Sequence, residues 1–441
     1  MFPLSRPARQ GLATAALAAL TILPTAFTAA HAWRINRPGH VRDVEITLGR
    51  RLGLQVTLDA VSYPRPGEIL FRGLVLRQEE PRGKGLAEIA RATSLRLVES
   101  GRELVAHAED LALRGETPEA AMDQVGGFLQ RSGEVPYDRV ALTAPTCRVE
   151  LGPGLGFDLQ DVAATLASEP TGPTARVAYR VVEPGSKTRC ELTLSRDRRQ
   201  DPVQTTLALR TLEGLPLPAR SLGVFFDAPG WLGESARVDG RLTLRRAGQG
   251  PWEAEFAGDL HEVDLAALVG RRFPSHRLAG TARVSIEEAR WGDRAGQGPG
   301  WIEAKGRLTS GPGSVGPELL AALEREMTFR KPSRPVRIDP RRPEVDFAAL
   351  GLAFDMRPDG EIRLAGALGV EHPPDAVLAV GANALIHAPE GAASVHGLIK
   401  TLVPVAAARP GTLVPLTTES RVLLCLPIAP DARPGRTMGA N

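Results

Sequence analysis

Cysteine is scarce in this chain: Cys147, Cys190 and Cys425 are the only three in 441 residues, and no C-x-x-C pair occurs. That spacing excludes zinc-ribbon and dithiol-redox motifs, and an odd count leaves at least one thiol unpaired. A Cys147–Cys190 bridge stays open in an oxidising compartment, but isolated cysteines of this kind read first as small buried hydrophobes. Lysine is scarce too, five against a total of 54 basic residues, so positive charge is nearly all arginine. The net charge is only +3, and no basic stripe carries interleaved aromatics, which argues against nucleic acid as a partner. Aromatic side chains make up 5% of the chain, so any apolar lining must be aliphatic.

The chemistry motifs are also missing. No G-x-S-x-G supplies a nucleophile elbow, and no G-x-x-x-x-G-K-[ST] supplies a P-loop. The eight histidines are scattered, with none in H-x-x-x-H spacing or beside a cysteine pair. His261-Glu262 with Asp264 is the nearest approach to a cluster and reads as a polar turn before a short helix. Glu287 and Glu288 are adjacent, so on a strand they point to opposite faces and cannot share acid–base work. GPGSVG at 311–316 matches G-x-G-x-x-G, with Asp339 downstream. The strand before it alternates polar and apolar, whereas a central parallel strand is nearly continuously apolar. Turn geometry is the expected role of Gly311, Gly313 and Gly316. The expectation is a protein without catalytic set, cofactor or metal.

What is present begins with a long apolar run. Residues 11–32, GLATAALAALTILPTAFTAAHA, contain no Asp, Glu, Lys or Arg, and Arg6 and Arg9 precede them. Such a run suits a bilayer core, where a helix satisfies its own backbone groups. Ala30-His31-Ala32 fits a cleavable signal peptide. The length of the run and Trp33 at its end fit a retained anchor, which is the reading favoured here. Both readings place the body outside the cytoplasm. A helix over 39–53, ending at Gly53, leads out of the anchor.

From residue 54 onward, period-two alternation dominates, the mark of half-buried strands. Leu54, Val56, Leu58 and Ala60 share one face. Ile69 and Phe71, then Leu74 and Leu76, flank Gly73, which predicts a bulge or tight bend. Further runs lie at 93–100, 138–144, 147–152, 174–182, 189–195, 204–211, 237–246, 280–291, 301–310, 361–370 and 375–388. Short helices are expected after Thr117-Pro118, after Asp264 with a stop at Gly270, and after Pro317. RDRRQD at 196–201 reads as a solvated turn.

Two stretches echo one another. Residues 238–270 and 278–326 both run strand, GQGP, a Trp-bearing strand with Glu-Ala, then a short Leu-Ala-Ala-Leu helix. Trp252 and Trp301 occupy equivalent places and read as packing anchors. Residues 347–369 resemble a third, degenerate copy. Repeats of this size stack edge to edge because one unit cannot bury its own face.

These residues carry a family resemblance. The anchor, short helix and LGRRLGLQVTLDAVSYPRPGEILFRGLVLRQ (48–78) look like the start of AsmA-like envelope proteins. EVDLAALVGRRFPSHRLAGTARVSI (262–286) is similar to that family's recurring unit. GRLTSGPGSVGPELLAALE and FDMRPDGEIRLAGALG resemble its C-terminal part. The resemblance implies a mainly β fold: an N-terminal transmembrane helix, then an elongated, curved antiparallel sheet forming a trough, related in architecture to bridge-like lipid-transfer proteins. On that reading, residues 1–33 are the signal-anchor or transmembrane segment. Residues 34–230 are an AsmA-like β-rich region, 231–405 a repeat region with short helices, and 406–441 a tail with one short strand. The implied protein is a non-catalytic envelope-biogenesis factor, single-pass in a bacterial inner membrane with its body in the periplasm. Its partners would be the membrane, a phospholipid or other acyl-chain ligand, and envelope proteins. The apolar positions Leu54, Val56, Leu58, Phe71, Leu74 and Leu76 are the candidate lipid-facing set. An assembly scaffold without lipid cargo is the alternative.

Overall fold

The computed structural model describes residues 6–79, 85–115, 137–152, 156–182, 188–212, 216–224, 228–293, 299–333, 344–403, 423 and 426. The fold is mainly β, with one long N-terminal apolar helix and a few short helices. Every described strand pair quoted below is antiparallel. The chain divides into two compact units, Met1–Arg114 and Gly115–Asn441.

The first unit opens with helix α1, Arg6–Asn36. Its 27-residue segment Gln10–Asn36 is long and apolar enough to cross a membrane; at ~1.5 Å per residue it reaches about 40 Å, more than a ~30 Å hydrocarbon core requires. Leu17, Leu20, Ile22, Leu23 and Phe27 are all exposed along it. Its threonines hide their hydroxyls: Thr14, Thr21, Thr25 and Thr28 donate to the carbonyls of Gln10, Leu17, Thr21 and Pro24, four residues back. Such internal bonding keeps a polar side chain compatible with an apolar surround.

Helix α2, His40–Leu52, follows and ends where Gly53 turns left-handed at φ 68°, as the sequence predicts. Strands β1 (Gln55–Thr57) and β2 (Ala60–Ser62) pair with β3 (Glu68–Glu79), which pairs on its other side with β4 (Leu86–Ser100); β5 (Glu103–Glu109) and β6 (Leu111–Gly115) pair in turn with β4. The expected bend is at Gly73, where φ is +60° and burial changes phase, so that Phe71 and Leu74 are both buried. Val56, Leu58, Phe71 and Leu74 form the core of this unit, and Val41, Val44 and Leu48 of α2 pack onto it.

In the second unit, β7 (Arg139–Leu151), β8 (Gly156–Glu169), β9 (Gly172–Val181), β10 (Arg189–Asp197) and β11 (Gln204–Leu212) pair in sequence order. The order continues through β13 (Arg237–Ala247), β14 (Trp252–Asp264), β15 (Leu278–Asp293), β16 (Pro299–Val315) and β18 (Ala349–Met356), with the short β12 (Leu217–Pro218) on β13 and β17 (Val345–Phe347) on β16. Two strands expected at 138–144 and 147–152 are one strand, β7. Pro145 does not split it: Pro145 is exposed, and Asp161 on β8, at φ +50°, interrupts the ladder beside it. Strand β8 escaped the alternation pattern because Val162-Ala163-Ala164 reads as continuously apolar.

The two echoed stretches form the same unit, a hairpin followed by a helical segment. In the first, β13 and β14 lead into a π turn, Ala266–Gly270, and the backbone N–H of Ala266 donates to Asp264 Oδ1 at 2.9 Å. In the second, β15 and β16 lead into α3, Pro317–Glu326, with proline at its start. One expectation is corrected here. Gly311 and Gly313 lie inside β16 rather than in a turn. A Cβ at Gly313 would sit 2.2 Å from the Ala279 carbonyl and 2.5 Å from the Phe347 ring, so close approach requires this glycine. The expected helix after Thr117 and the tail strand beyond 415 lie outside the described residues.

One large core holds this unit. The short helical segment Ala219–Val224, α3 and helix α4 (Val395–Leu402) contribute Leu222, Leu319, Leu320, Val395 and Ile399, over strand residues such as Val238, Val263, Val284 and Val315.

Candidate functional site

Register across the second unit puts apolar residues in rows on one face of the sheet. One row runs Leu166–Ala175–Leu194–Leu207–Leu244–Ala254 from β8 to β14. The next runs Ala164–Val177–Leu192–Leu209–Leu242–Phe256. Period two sends the intervening residues to the opposite face. There Glu191, Arg210, Arg245, Glu255, Arg290 and Glu303 form a ladder of ion pairs: Arg210–Glu191 and Arg245–Glu255 at 3.0 Å, and Arg290–Glu303 at 2.7 Å.

The apolar face is not covered uniformly. Toward Val238, Val263 and Val284 the short helices close it. Over β8 to β14, a separate cluster consists of strand side chains alone: Leu194, Leu207 and Leu244, with Leu166, Leu192 and Leu242 against them. Leu194, Leu207 and Leu244 are buried, but in the next row Val177, Leu192, Leu209, Leu242 and Phe256 are only half-buried, although each stands mid-strand among paired neighbours and Leu209 and Phe256 also touch the closed core. A packed second layer would bury such residues fully. At the far end, register places Arg196, Thr205, Arg246 and Trp252 in the row beyond Leu194–Leu207–Leu244. Arg246 lies 5.7 Å from the centre of the Trp252 ring. The strip therefore runs from a closed core to a cationic, aromatic rim.

The six candidate positions of the first unit are placed differently. Val56, Leu58, Phe71 and Leu74 are buried under α2, while Leu54 and Leu76 are half-buried. Their apolar faces are taken up by Val41, Val44 and Leu48. Alternation revealed which face is apolar; it carried no signal about what covers it.

His261 does not assemble with Glu262 and Asp264, because Asp264 is engaged at the π turn and Glu262 is exposed. Instead His261 Nε2 lies 3.1 Å from Asp239 Oδ2, and Asp259 lies opposite Asp239 on the neighbouring strand. Among the described residues, Asp239, Asp259 and His261 are the only set whose ligand atoms come together as a metal would need. Arg283, however, donates to both Asp259 oxygens, at 3.3 and 2.9 Å, and Ser285 donates to Asp259 as well. That guanidinium hydrogen bond holds the Asp259 carboxyl below the usual carboxylate range. Its positive charge already balances the Asp259 carboxylate that a cation would need.

Cys147 and Cys190 are both buried free thiols, as isolated cysteines were expected to be. Burial pushes them up to about 11 and about 12, so neither is a nucleophile near neutrality. Cys425 lies outside the described residues. Sequence reasoning missed His276, which is 3% exposed; burial lowers its basicity, and Thr401 and Glu318 stand near it.

No family model matches the chain, no curated protein matches it, and no solved structure matches its fold.

Proposed function

We propose that this chain is a membrane-anchored, non-catalytic envelope-biogenesis protein of AsmA-like type, whose sheet binds or transfers lipid along the apolar strip of β8 to β14. The observation that carries the proposal is the half-buried row Val177–Leu192–Leu209–Leu242–Phe256, apolar on one face and backed by ion pairs on the other. Covering apolar area is favourable by roughly 25 cal/mol per Å², whichever apolar partner covers it. An acyl chain suits a strip that is aliphatic and bordered at one end by Arg196 and Arg246, whose charge complements a phosphate headgroup. Helix α1 supplies the anchor, in a bacterial inner membrane with the body in the periplasm.

The full-length chain in vesicles doped with a diazirine-bearing phospholipid tests this. Photo-crosslinks mapped to β9–β13 as well as α1, and lost from the strands in Leu192→Asp and Leu242→Asp, are the expected result. Crosslinks confined to α1 and α2 would overturn the lipid strip and leave the scaffold reading, which the closed core under α2 already favours for the first unit. A C-terminal alkaline phosphatase fusion, active only outside the cytoplasm, tests the orientation.

A further inference from the structure

The surface of α2 that faces away from its sheet carries three arginines, and the end of α1 a fourth, for which no side chain in the described residues supplies an ion pair. Between Trp33 and Gly53 the chain has Arg34, Arg37, Arg42, Arg50 and Arg51 against Asp43 and Glu45, a net +3 equal to that of the whole protein. Both carboxylates are engaged elsewhere. Asp43 pairs with Arg37, and Glu45 Oε1 accepts from the Leu58 backbone N–H at 2.8 Å. Among the described residues, Arg34, Arg42, Arg50 and Arg51 have no ion-pair partner.

Their arrangement follows from the helix. Val41, Val44 and Leu48 turn toward the sheet. Arg42, Ile46 and Arg50, spaced four apart, lie on one exposed stripe, with Arg51 beside it. Ile46 is 45% exposed, an apolar side chain between two guanidiniums with no protein layer over it. Trp33, 72% exposed, stands at the end of α1, four residues before Arg37. An aromatic at the end of an apolar helix, then arginines flanking an exposed isoleucine, is the composition of a helix lying at a membrane surface.

We infer that α2 is an interfacial collar that binds the anionic headgroups of the leaflet from which α1 emerges, with Arg42, Arg50 and Arg51 on phosphates and Ile46 dipping between them. The inference rests on α1 spanning the bilayer. The collar would tie the first unit to the membrane through the sheet face that α2 covers, because one side of the helix packs on the sheet and the other meets the headgroups. Vesicle phospholipid is the occupant the chemistry fits: a planar array of phosphates for a row of guanidiniums, and acyl chains beneath for Ile46.

The test is dicarbonyl modification of arginine on the full-length chain reconstituted in phosphatidylcholine vesicles or in vesicles containing phosphatidylglycerol, read by peptide mass spectrometry. Each arginine near an anionic surface gains about 1 kcal/mol, so modification of Arg42, Arg50 and Arg51 is expected to slow about fivefold in the anionic vesicles and to recover in high salt. Exposed Arg241 and Arg210, on the strands, serve as unaffected references. Equal reactivity in the two vesicle types, with the chain floating in both, would overturn the collar alone. A chain that floats with neither would overturn the spanning helix and the collar together.

Discussion

Gly73 sits directly over Asp59: a Cβ built on Gly73 would lie 1.8 Å from Asp59 Oδ2, and the backbone there has φ +60°. Both facts exclude a side chain. Gly73→Ala is therefore expected to destabilise the first unit by about 1–3 kcal/mol, from left-handed strain and the displaced carboxylate. Chemical denaturation followed by circular dichroism checks this. Asp59→Ala in the same background should restore part of the loss by removing the clash, and an unchanged midpoint in Gly73→Ala would contradict it.

His276 is buried in its neutral form, with basicity lowered by desolvation from the usual 6.5. As pH falls, the unfolded chain takes up this proton before the folded chain does. The stabilisation is complete above about 6.5 and declines as pH falls from there through the folded-state value. Thermal midpoints at a series of pH values between neutral and mildly acidic should show a decline that His276→Phe flattens. Parallel profiles for the two proteins would assign the acid sensitivity to other groups.

Cys147 and Cys190 are raised to about 11 and about 12 by burial. Alkylation of the native chain near pH 8 should leave both thiols unmodified, and denaturant should make both reactive at once. Mass spectrometry of the two tryptic peptides reads this directly. Rapid native labelling at Cys190 would mean that β10 opens far more readily than its ladder implies.

Arg283 holds the place of a cation beside Asp259, Asp239 and His261. The wild-type chain is expected to show no zinc-dependent change in thermal midpoint from this cluster. Arg283→Met, which keeps the aliphatic stem and removes the charge, should gain a zinc-dependent rise that Asp239→Asn abolishes. A wild-type rise abolished by Asp239→Asn would show that the guanidinium yields to the metal.

Much of the architecture is legible in the sequence. The alternation in 174–182, 189–195 and 204–211 became β9, β10 and β11, because a strand's period of two survives in almost any context. Gly53, Asp264 and Pro317 marked helix boundaries through local chemistry: a left-handed cap, a side-chain acceptor and a residue without an N–H. The shared GQGP and tryptophan of the two echoed stretches located the repeated hairpin-and-helix unit. Where local chemistry was ambiguous, the reading failed. Gly313 suits a turn and a crowded strand equally well, and only the Phe347 ring and the Ala279 carbonyl decide between them.

The sequence by itself determined the mainly β class, the apolar N-terminal helix and which residues of each strand share a face, because all three follow from hydrophobic period and run length. Tertiary structure alone decided which apolar face is closed. Val56, Leu58, Phe71 and Leu74 have the same pattern as Leu192, Leu194, Leu207 and Leu209, yet α2 covers the first set while no described helix covers the cluster around Leu194 and Leu207. The physical reason is that burial belongs to a pair of surfaces. A strand's sequence records that one face avoids water, and the identity of the partner depends on segments far away along the chain.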